Sequence, residues 1–274
     1  MIAPTLHCPC DRRFVAPAFT YAAPPAGETC FVFTGAYARA YDRCGLCGHW
    51  FGRHHLDLSQ LYRRDYVDAT YGGAEGLRRR FEAVMTLPPE RSDNAARAAR
   101  VDAFAKECEI APGARLLDVG AGLGVFPAAM KRRGWQVIAL ELDPRMAAHI
   151  AAAAGVVTKT VDLLAVAPED LGLCNAVTFN KVLEHVEDPV ALLARCRAFM
   201  AKGAFVYIEL PDAAAAVDGP GREEFFVEHH HVFSPASTAL LAERAGFSPL
   251  RIERIREPSG KYTVVAFFAS NETA

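Results

Sequence analysis

The sequence lacks the features that direct a protein to a membrane or to nucleic acid. It contains no run of about 18 consecutive apolar residues, which excludes a membrane-spanning helix. Its 30 lysines and arginines are matched by 32 acidic residues, and a net charge of −2 provides no general attraction to nucleic acid. Residues 1–7 also lack the basic start and the long apolar stretch of a signal peptide. We therefore expect a cytoplasmic protein with no membrane and no nucleic-acid partner.

Eight cysteines in a chain expected in the cytoplasm indicate metal ligands or free thiols, because disulfides are rare in that compartment. Cys44 and Cys47 have the spacing at which one turn directs two thiolates to a metal ion. Cys8 and Cys10 lie near the N-terminus and can complete a structural Zn²⁺ site. Alternative ligands in these two regions are His7, Cys30 and His49. A further alternative is a ribbon that keeps these thiols but folds without metal.

The composition changes near residue 90 and divides the chain into three parts. Residues 1–60 are rich in Pro, Gly, Cys, His and aromatic residues but contain no long periodic segment. We therefore expect a small module that something other than a hydrophobic core holds together. Residues 61–90 contain several tyrosines and a Pro-Pro pair and are expected to form a linker or a lid. Residues 91–274 are expected to form the main domain.

Strand and helix patterns alternate along the predicted main domain. The predicted strands are 115–119, 136–141, 156–160, 174–180 and 203–209. The predicted helices are 92–109, 123–133, 144–154, 188–201 and 235–246. This alternation predicts an α/β fold with a parallel sheet and helices on both of its faces. Two final strands, at 248–256 and 261–269, are expected to pair as an antiparallel hairpin.

A glycine-rich turn follows the first predicted strand of this domain. Gly120, Gly122 and Gly124 come directly after Asp118, and glycines at this spacing let the backbone approach a ligand closely. Val125 stands where a dinucleotide-binding motif requires its third glycine, and the carboxylate of Asp118 would repel a pyrophosphate. A ligand that carries an ammonium group and no phosphate fits these residues better.

These residues resemble motif I of the class I S-adenosylmethionine-dependent methyltransferases. The next predicted strand ends in Glu141, about 20 residues after Asp118, where an acid can accept hydrogen bonds from ribose hydroxyls. The resemblance implies a Rossmann-like class I methyltransferase sheet with S-adenosylmethionine as cofactor. It also implies that Asp162, which precedes Leu163 after the third strand, reaches the adenine amino group. The alternative for Asp162 is a helix N-cap.

The end of the fourth predicted strand, with the Leu-Glu-His that follows it, resembles motif IV of small-molecule methyltransferases. Asn180 and Lys181 would then lie at the carboxyl edge of the sheet, beside the methyl group. His185 is either a group on the substrate side or a structural histidine. Upstream of the glycine turn, Asn94 and Arg97 either face the cofactor or the substrate, as the resemblance suggests, or belong to a helix cap.

Three consecutive histidines follow Glu228. Because consecutive side chains of one element point in different directions, these imidazoles are not expected to share a metal ion. Glu228, His229, Phe233 and Ser234 match the spacing of a Glu-His and Phe-Ser pattern in sugar C-methyltransferases and in related methyltransferases of polysaccharide clusters. That resemblance implies that His229 is a general base, which the neighbouring carboxylate can orient. Phe226 stands where those enzymes typically carry tyrosine.

The resemblance covers nearly the whole chain and includes a zinc-ribbon-like N-terminal module. It implies methyl transfer to an oxygen or carbon atom of a small polar metabolite, with an activated sugar as the expected substrate. One alternative is an O-methyltransferase of another small molecule. The other is a cofactor-binding protein without activity whose N-terminal module serves as a docking surface. The intact acids and the histidine at positions 118, 141, 228 and 229 argue against such a loss of activity.

Overall fold

The computed structural model describes residues 6, 8, 13–28, 36–56 and 72–271. The chain packs as two compact units, each built from separate stretches of sequence. The first unit comprises Met1–Leu61, Lys181–Ala194 and Ile208–Asn271. The second unit comprises Tyr62–Asn180, Arg195–Tyr207 and Glu272–Ala274. The composition predicts domain boundaries near residues 60 and 90, and that division stays a prediction. The two compact units combine other stretches of the sequence.

The described residues form eleven strands and seven α-helices. The strands are β1 (Val15–Tyr21), β2 (Arg39–Cys44), β3 (Trp50–His54), β4 (Arg115–Val119), β5 (Gln136–Leu140), β6 (Val157–Lys159), β7 (Cys174–Asn180), β8 (Met200–Pro211), β9 (His231–Val232), β10 (Phe247–Arg256) and β11 (Tyr262–Ser270). The helices are α1 (Gly73–Met85), α2 (Asp93–Glu107), α3 (Val125–Arg132), α4 (Pro144–Ala153), α5 (Pro168–Leu171), α6 (Pro189–Arg195) and α7 (Pro235–Arg244). Within these ranges no helix has the length and apolar character needed to cross a membrane.

The larger sheet has seven strands in the order β10-β11-β8-β7-β4-β5-β6. β4 pairs in parallel with β5 and β7, β5 pairs in parallel with β6, and β10 pairs antiparallel with β11. Strands and helices alternate along the chain through β4–β8, as the sequence pattern predicts. The predicted α/β methyltransferase-like sheet with a final antiparallel hairpin is therefore confirmed.

Local caps explain where several of these helices begin. The Ser92 hydroxyl accepts a hydrogen bond from the Ala95 amide at the start of α2. Asp143 caps α4 in the same way and is followed by proline at the first helical position. Ser234 forms a reciprocal capping box with Ser237 at the start of α7. These caps confirm the helix starts that the Ser-Asp-Asn, Asp-Pro and Ser-Pro sequences predict.

A smaller antiparallel sheet in the first unit has the order β1-β2-β3-β9. Its last strand comes from the histidine-rich stretch, with Trp50 opposite Val232 and Phe51 opposite His231. One face of the sheet packs into an aromatic cluster of buried residues. That cluster consists of Tyr21, Tyr41, Trp50, Ala215, Phe225 and Val232. The expectation of a module without a hydrophobic core is wrong, because residues 213–232 supply part of its core.

The stretch predicted as a linker or lid contains a packed helix in the second unit. In α1, Leu77 is 1% exposed and Phe81 is 7% exposed. Leu77 packs with Met146 of α4, and Phe81 joins a cluster that includes Ile150 of the same helix. Their spacing of four residues places both side chains on one face of α1. Part of the predicted linker is therefore a structural element of the second unit.

Candidate functional site

The glycine-rich turn of the second unit joins β4 to α3 and has left-handed backbone at each of its three glycines. The φ angles are 67° at Gly120, 52° at Gly122 and 76° at Gly124. A side chain at Gly122 would meet no atom within 4 Å, so the space over the middle of the turn is open. A Cβ at Gly124 would lie 3.1 Å from Ile150, which explains why the turn requires glycine there.

Asp118 is a buried acid at the end of β4. It is 1% exposed, and one of its oxygens accepts hydrogen bonds from Thr178 at 2.6 Å and from Asn180 at 2.8 Å. Burial raises the pKa of Asp118 to about 7, although the two hydrogen bonds and the charge of Arg97 act in the opposite direction. The Oδ1 atom of Asn180 is buried and has no hydrogen-bond partner among the described residues. These two side chains present acceptor oxygens beside the glycine turn.

Glu141 connects the glycine turn to the segment that follows β5. Its Oε2 accepts a hydrogen bond from the Gly122 amide at 2.8 Å. Its Oε1 accepts from the Leu142 amide at 2.8 Å and from the Asp143 amide at 3.3 Å. Because a carboxylate has about four acceptor positions, Oε2 keeps capacity for one further hydrogen bond.

Asp162 and Leu163 occupy different environments. The exposed carboxylate of Asp162 accepts a hydrogen bond from the Leu164 amide at 2.9 Å and so caps a turn. Leu163 is 2% exposed, and its side chain belongs to the hydrophobic core. The capping alternative therefore describes the observed contact of Asp162, and its contact with adenine stays a prediction.

Asn94 and Arg97, both on α2, lie close to the glycine turn. The Asn94 amide group donates a hydrogen bond at 3.0 Å to the carbonyl of Val125, the first residue of α3. The positive charge of Arg97 lowers the pKa of Asp118. Asn94 therefore does more than belong to a cap, because it joins α2 to the helix after the turn.

Two histidines of the first unit have their tautomers fixed by backbone carbonyls. His229 Nδ1 lies 2.9 Å from the Glu224 carbonyl, and His185 Nδ1 lies 3.0 Å from the Glu228 carbonyl. A carbonyl only accepts, so each Nδ1 carries the proton and each Nε2 has the lone pair. Burial lowers the pKa of His185 and brings the pKa of His229 well below 6.5.

The observed partner of the His229 imidazole corrects one prediction about Glu228. The Nδ1 atom is held by the carbonyl of Glu224 and not by the Glu228 carboxylate. Glu228 contacts an imidazole through its own carbonyl, and that imidazole belongs to His185. Burial raises the pKa of Glu228, whose Oε2 has no hydrogen-bond partner among the described residues. A catalytic role for Glu228 stays a prediction, but orientation of His229 by its carboxylate is wrong.

Glu184, from the Leu-Glu-His string, lies beside these imidazoles, and the sequence analysis assigned it no role in the site. It is fully buried, and its Oε1 lies 4.0 Å from His185 Nε2. Neither carboxylate oxygen has a hydrogen-bond partner within the described ranges. Burial raises the pKa of Glu184 to about 7. One carboxylate oxygen of Glu184 and one nitrogen each of His185 and His229 lie within 4.8 Å of one another, and we call these three residues the Glu-His-His cluster.

A positive charge acts on this cluster. Lys181 has φ of 60°, a left-handed conformation that is uncommon for a residue other than glycine. Its ammonium group donates to the Thr263 hydroxyl at 2.5 Å and lies 3.9 Å from a carboxylate oxygen of Glu257. The charge of Lys181 lowers the pKa of Glu184 and that of His229. The ammonium group of Lys181 therefore lies close enough to the cluster to act on it electrostatically.

The three consecutive histidines have separate environments, as their adjacency predicts. The ring of His229 packs against that of His185, with 4.8 Å between centroids. His230 stacks on His54, with 5.9 Å between centroids. His231 is fully buried, and its Nδ1 is 2.9 Å from His49 Nε2. Only the first of the three therefore belongs to the Glu-His-His cluster.

The small sheet holds the loop that carries His229. The Tyr41 hydroxyl donates to the His229 carbonyl at 2.6 Å and lies 3.0 Å from the Phe226 carbonyl. The Gly52 amide donates to the His230 carbonyl at 2.8 Å. A Cβ at Gly52 would lie 2.7 Å from the His229 carbonyl oxygen, so only glycine allows this approach. The position of His229 thus depends on β2 and β3.

A buried ion pair also connects the small sheet to this loop. Arg39 and Glu28 are 2.7 Å apart, with side chains only 2% and 1% exposed. The same Glu28 carboxylate accepts from the Val227 amide at 2.6 Å, and Arg39 donates to the Phe225 carbonyl at 2.7 Å. The guanidinium also lies 3.7 Å from the centroid of the Tyr21 ring. Nothing in the sequence pattern singles out this pair.

Three cysteine thiols converge at the end of β2 and the turn that follows it. The Sγ of Cys8 is 3.6 Å from that of Cys44 and 3.4 Å from that of Cys47, and all three residues are buried. His49 does not join them, because its ring nitrogens contact Ser237 at 3.1 Å and His231 at 2.9 Å. The remaining ligand candidates lie outside the described residues; they are His7, Cys10 and Cys30.

Known proteins are similar to this chain in sequence. A family model described as a methyltransferase domain matches residues 90–252, more than half of the chain. A ubiquinone biosynthesis O-methyltransferase from Xanthomonas campestris pv. campestris (strain B100) is 34% identical over 125 residues, covering 44% of this chain and 52% of that protein. The protein of the same name from Xanthomonas oryzae pv. oryzae (strain PXO99A) is 33% identical over 126 residues, with the same coverage. The chain therefore spans about half the length of the curated relatives it matches.

Solved structures share the fold. Magnesium protoporphyrin IX methyltransferase from Synechocystis PCC 6803, with bound SAH, has a TM-score of 0.57 at 16% identity and covers 77% of this chain and 99% of its own. The 1,6-didemethyltoxoflavin-N1-methyltransferase from Burkholderia thailandensis has a TM-score of 0.55 at 22% identity and covers 88% of this chain and 98% of its own. At these identities the likeness shows the fold alone.

Proposed function

Because the chain belongs to the methyltransferase-domain family, we propose that it transfers a methyl group from S-adenosylmethionine to a small polar acceptor. The observation that carries this proposal is the glycine turn with two acids at its sides, Asp118 and Glu141. Incubation with acceptor panels of nucleotide sugars and phenolic compounds tests it. Release of S-adenosylhomocysteine together with a methylated acceptor would support the proposal, and cofactor binding without turnover on any acceptor would favour the docking-protein alternative.

The residues around the glycine turn fit this cofactor. The open space at Gly122 admits a ligand against the backbone. Asp118 and the free Oδ1 of Asn180 supply acceptor oxygens for an ammonium group, and Oε2 of Glu141 can accept one more hydrogen bond, as a ribose hydroxyl would require. When bound, the cofactor supplies an electrophilic methyl group on a sulfonium. The predicted cofactor set also includes Gly120, Gly124, Asp162 and Leu163.

We expect Glu141→Ala to weaken the binding of S-adenosylhomocysteine by about tenfold to a hundredfold, the effect of losing a hydrogen bond to a charged group. Calorimetry measures the dissociation constant. Glu169→Ala, an exposed acid in the same unit, is the matched control and should bind normally. Since Glu141 also holds the Gly122 amide, thermal unfolding of both variants separates lost ligand contacts from a disordered turn. Unchanged affinity in Glu141→Ala would remove this residue from the site.

The proposed chemistry uses His229 as the general base. Its Nδ1 is committed to the Glu224 carbonyl, which leaves the Nε2 lone pair to remove a proton from the acceptor. Its lowered pKa keeps the imidazole neutral at physiological pH. Glu228 would act on His185 rather than directly on His229, because its carbonyl holds the His185 ring.

The expected acceptor is an activated sugar or a polysaccharide precursor, as the Glu-His and Phe-Ser spacing suggests. The alternative is O-methylation of another small molecule, such as a phenol, which agrees with the O-methyltransferase name of the Xanthomonas relatives. Genes beside the coding sequence would separate these alternatives, since sugar-nucleotide or polysaccharide genes would favour the first. A cytoplasmic location stays a prediction.

A structural zinc ion is proposed for the three converging thiols. Zinc–sulfur bonds of about 2.3 Å in a tetrahedral site place neighbouring sulfurs about 3.8 Å apart, close to the distances at Cys8. Cys44 and Cys47 would provide two further ligands, and Cys10 is proposed as the fourth. The docking-protein alternative would also keep this site, so zinc content does not by itself indicate activity.

Protein purified without chelators should contain about one zinc ion per chain, bound in tetrahedral geometry. Cys47→Ser should lower the zinc content measured by mass spectrometry and destabilise the small sheet, because this cysteine belongs to the thiol group. Cys108→Ser, at the end of α2, is the matched control and should retain the metal. Full zinc content in Cys47→Ser, or none in the unmodified protein, would contradict the zinc proposal.

A further inference from the structure

The Glu-His-His cluster brings hydrogen-bond acceptors together and, when Glu184 is ionised, offers a ligand no donor of its own. The imidazoles of His185 and His229 each use their Nδ1 proton on a backbone carbonyl. Their Nε2 atoms are therefore acceptors in the neutral rings. The ionised Glu184 carboxylate only accepts, and both of its oxygens lack a hydrogen-bond partner within the described ranges. A ligand of this cluster must consequently supply donors.

Buried acceptors in proteins are almost always satisfied, and a bound molecule is one way to satisfy them. Each hydroxyl carries a single proton and can donate to only one of these groups. His185 Nε2 and Glu184 Oε1 are 4.0 Å apart, too far to be satisfied by each other. A ligand that satisfies the cluster through hydroxyl groups therefore needs at least two of them close together.

A divalent cation would satisfy the same acceptors, but the charges nearby act against it. The positive charges of Lys181 and Lys261 act on both Glu184 and His229. Lys181 approaches within 3.9 Å of Glu257 and donates to Thr263, so its ammonium is held in this region. A second cation would be repelled, whereas a neutral donor group would not.

We propose that the acceptor molecule binds the Glu-His-His cluster through two adjacent hydroxyl groups, as a vicinal diol does. One hydroxyl donates to Nε2 of His229, and its neighbour donates to Glu184 or His185. This inference rests on the proposed methyltransferase function and specifies the substrate class. A vicinal diol occurs both in sugars and in ortho-diphenols, so the shared chemistry is compatible with either expected acceptor.

Methylation then affects one hydroxyl of the pair. The proton of the first hydroxyl moves to His229 Nε2, and its oxygen forms a bond to the methyl carbon. The carbon–sulfur bond breaks, and its electron pair stays on sulfur, which becomes a neutral thioether. The second hydroxyl keeps its proton and remains bound to Glu184 or His185. The product is accordingly a mono-ether that retains one free hydroxyl.

Binding of matched probes to the full-length protein with S-adenosylhomocysteine tests the inference. The aromatic pair is catechol and phenol, and the sugar-like pair is 1,4-anhydroerythritol and 3-hydroxytetrahydrofuran, which has only one of the two hydroxyls. Histidine ring resonances in NMR titrations report the dissociation constants and the location of binding. We expect one diol to bind about tenfold or more tightly than its partner, since the partner lacks one hydrogen bond to the cluster. The pair that shows this preference identifies the source of the diol.

Two variants test whether the preference for a diol arises at the Glu-His-His cluster. Glu184→Gln should reduce the ratio between diol and mono-hydroxy probe, because the amide replaces a pure acceptor with a group that also donates. His230→Asn removes a histidine whose ring stacks on His54, outside the cluster, and should leave the ratio unchanged. Comparison of the probes on the unmodified protein does not depend on whether either variant folds.

The inference is overturned if each diol binds no better than its partner, or if neither diol binds to protein that does bind S-adenosylhomocysteine. It is also overturned if zinc or magnesium chloride alone shifts the resonances of His185 and His229, because the cluster would then be a metal site. Loss of S-adenosylhomocysteine binding is a separate result, which contradicts the proposed function itself.

Discussion

His229→Asn should reduce turnover by about 10²–10⁴-fold, the range typical of losing a positioned general base, while the affinity for S-adenosylhomocysteine stays near that of the unmodified protein. Asparagine has no titratable nitrogen that could replace Nε2. The glycine turn and its acids belong to the other compact unit, so cofactor affinity is an independent measurement. Initial rates of S-adenosylhomocysteine release and calorimetry on the same preparation provide the two values.

The neighbouring histidines provide controls for this prediction. His230→Asn should have a mild effect, because that ring stacks on His54. His231→Asn should lower stability instead, since its buried ring contacts His49 and the Glu187 carbonyl. Protonation of His229 should reduce turnover only below pH 6.5, because burial lowers its pKa and the base works in its neutral form. An active His229→Asn would assign proton removal to another group, and His185 would be tested next.

Arg39→Met should destabilise the protein by about 3–5 kcal/mol, because it leaves the Glu28 carboxylate buried without its counter-ion. Both side chains are almost completely removed from solvent. The hydrogen bond from Arg39 to the Phe225 carbonyl is lost as well. Urea unfolding followed by tryptophan fluorescence measures the change, since Trp50 lies in the aromatic cluster of the same unit.

An exposed ion pair on the same sheet is the matched control. Arg53 and Asp42 are 3.1 Å apart, but the arginine side chain is 57% exposed. Arg53→Met should therefore change stability by no more than about 1 kcal/mol. Combining Arg39→Met with Glu28→Leu should recover much of the lost stability, because no buried charge then remains unpaired. If Arg39→Met and Arg53→Met lowered the stability equally, burial of the ion pair would not explain the effect of Arg39→Met.

Local sequence patterns predicted the elements of the larger sheet and the helices between them. The glycine turn could be predicted because glycine readily adopts the left-handed backbone of a tight turn, and the φ angles of the three glycines after Asp118 agree. Helix starts at Ser92 and Ser234 could be predicted because capping depends on neighbouring residues alone. The expected helix at 188–201 was too long, since α6 gives way to a 3-10 helix at Cys196. Helix ends are weakly specified by sequence.

The surroundings of His229 could not be predicted in the same way. Glu184 stands in the recognised Leu-Glu-His string, yet its complete burial depends on the packing of distant segments. The Arg39 and Tyr41 contacts join residues separated by more than 180 positions, and no local pattern encodes such pairings. The short strand at His231 likewise forms only because Phe51 provides a partner for it. The composition of residues 1–60 also did not indicate the aromatic core, because half of the residues in that core follow residue 212 in the sequence.

The shared core of the small sheet has a consequence for the order of folding during synthesis. β1, β2 and β3 leave the ribosome first, but Phe225 and Val232, which complete their aromatic cluster, are made much later. Until then the side chains of Tyr21, Tyr41 and Trp50 lack part of their packing. Contacts between such distant parts of a chain form slowly and leave apolar surface exposed in the interval. We therefore expect nascent chains that end before residue 225 to depend on chaperones.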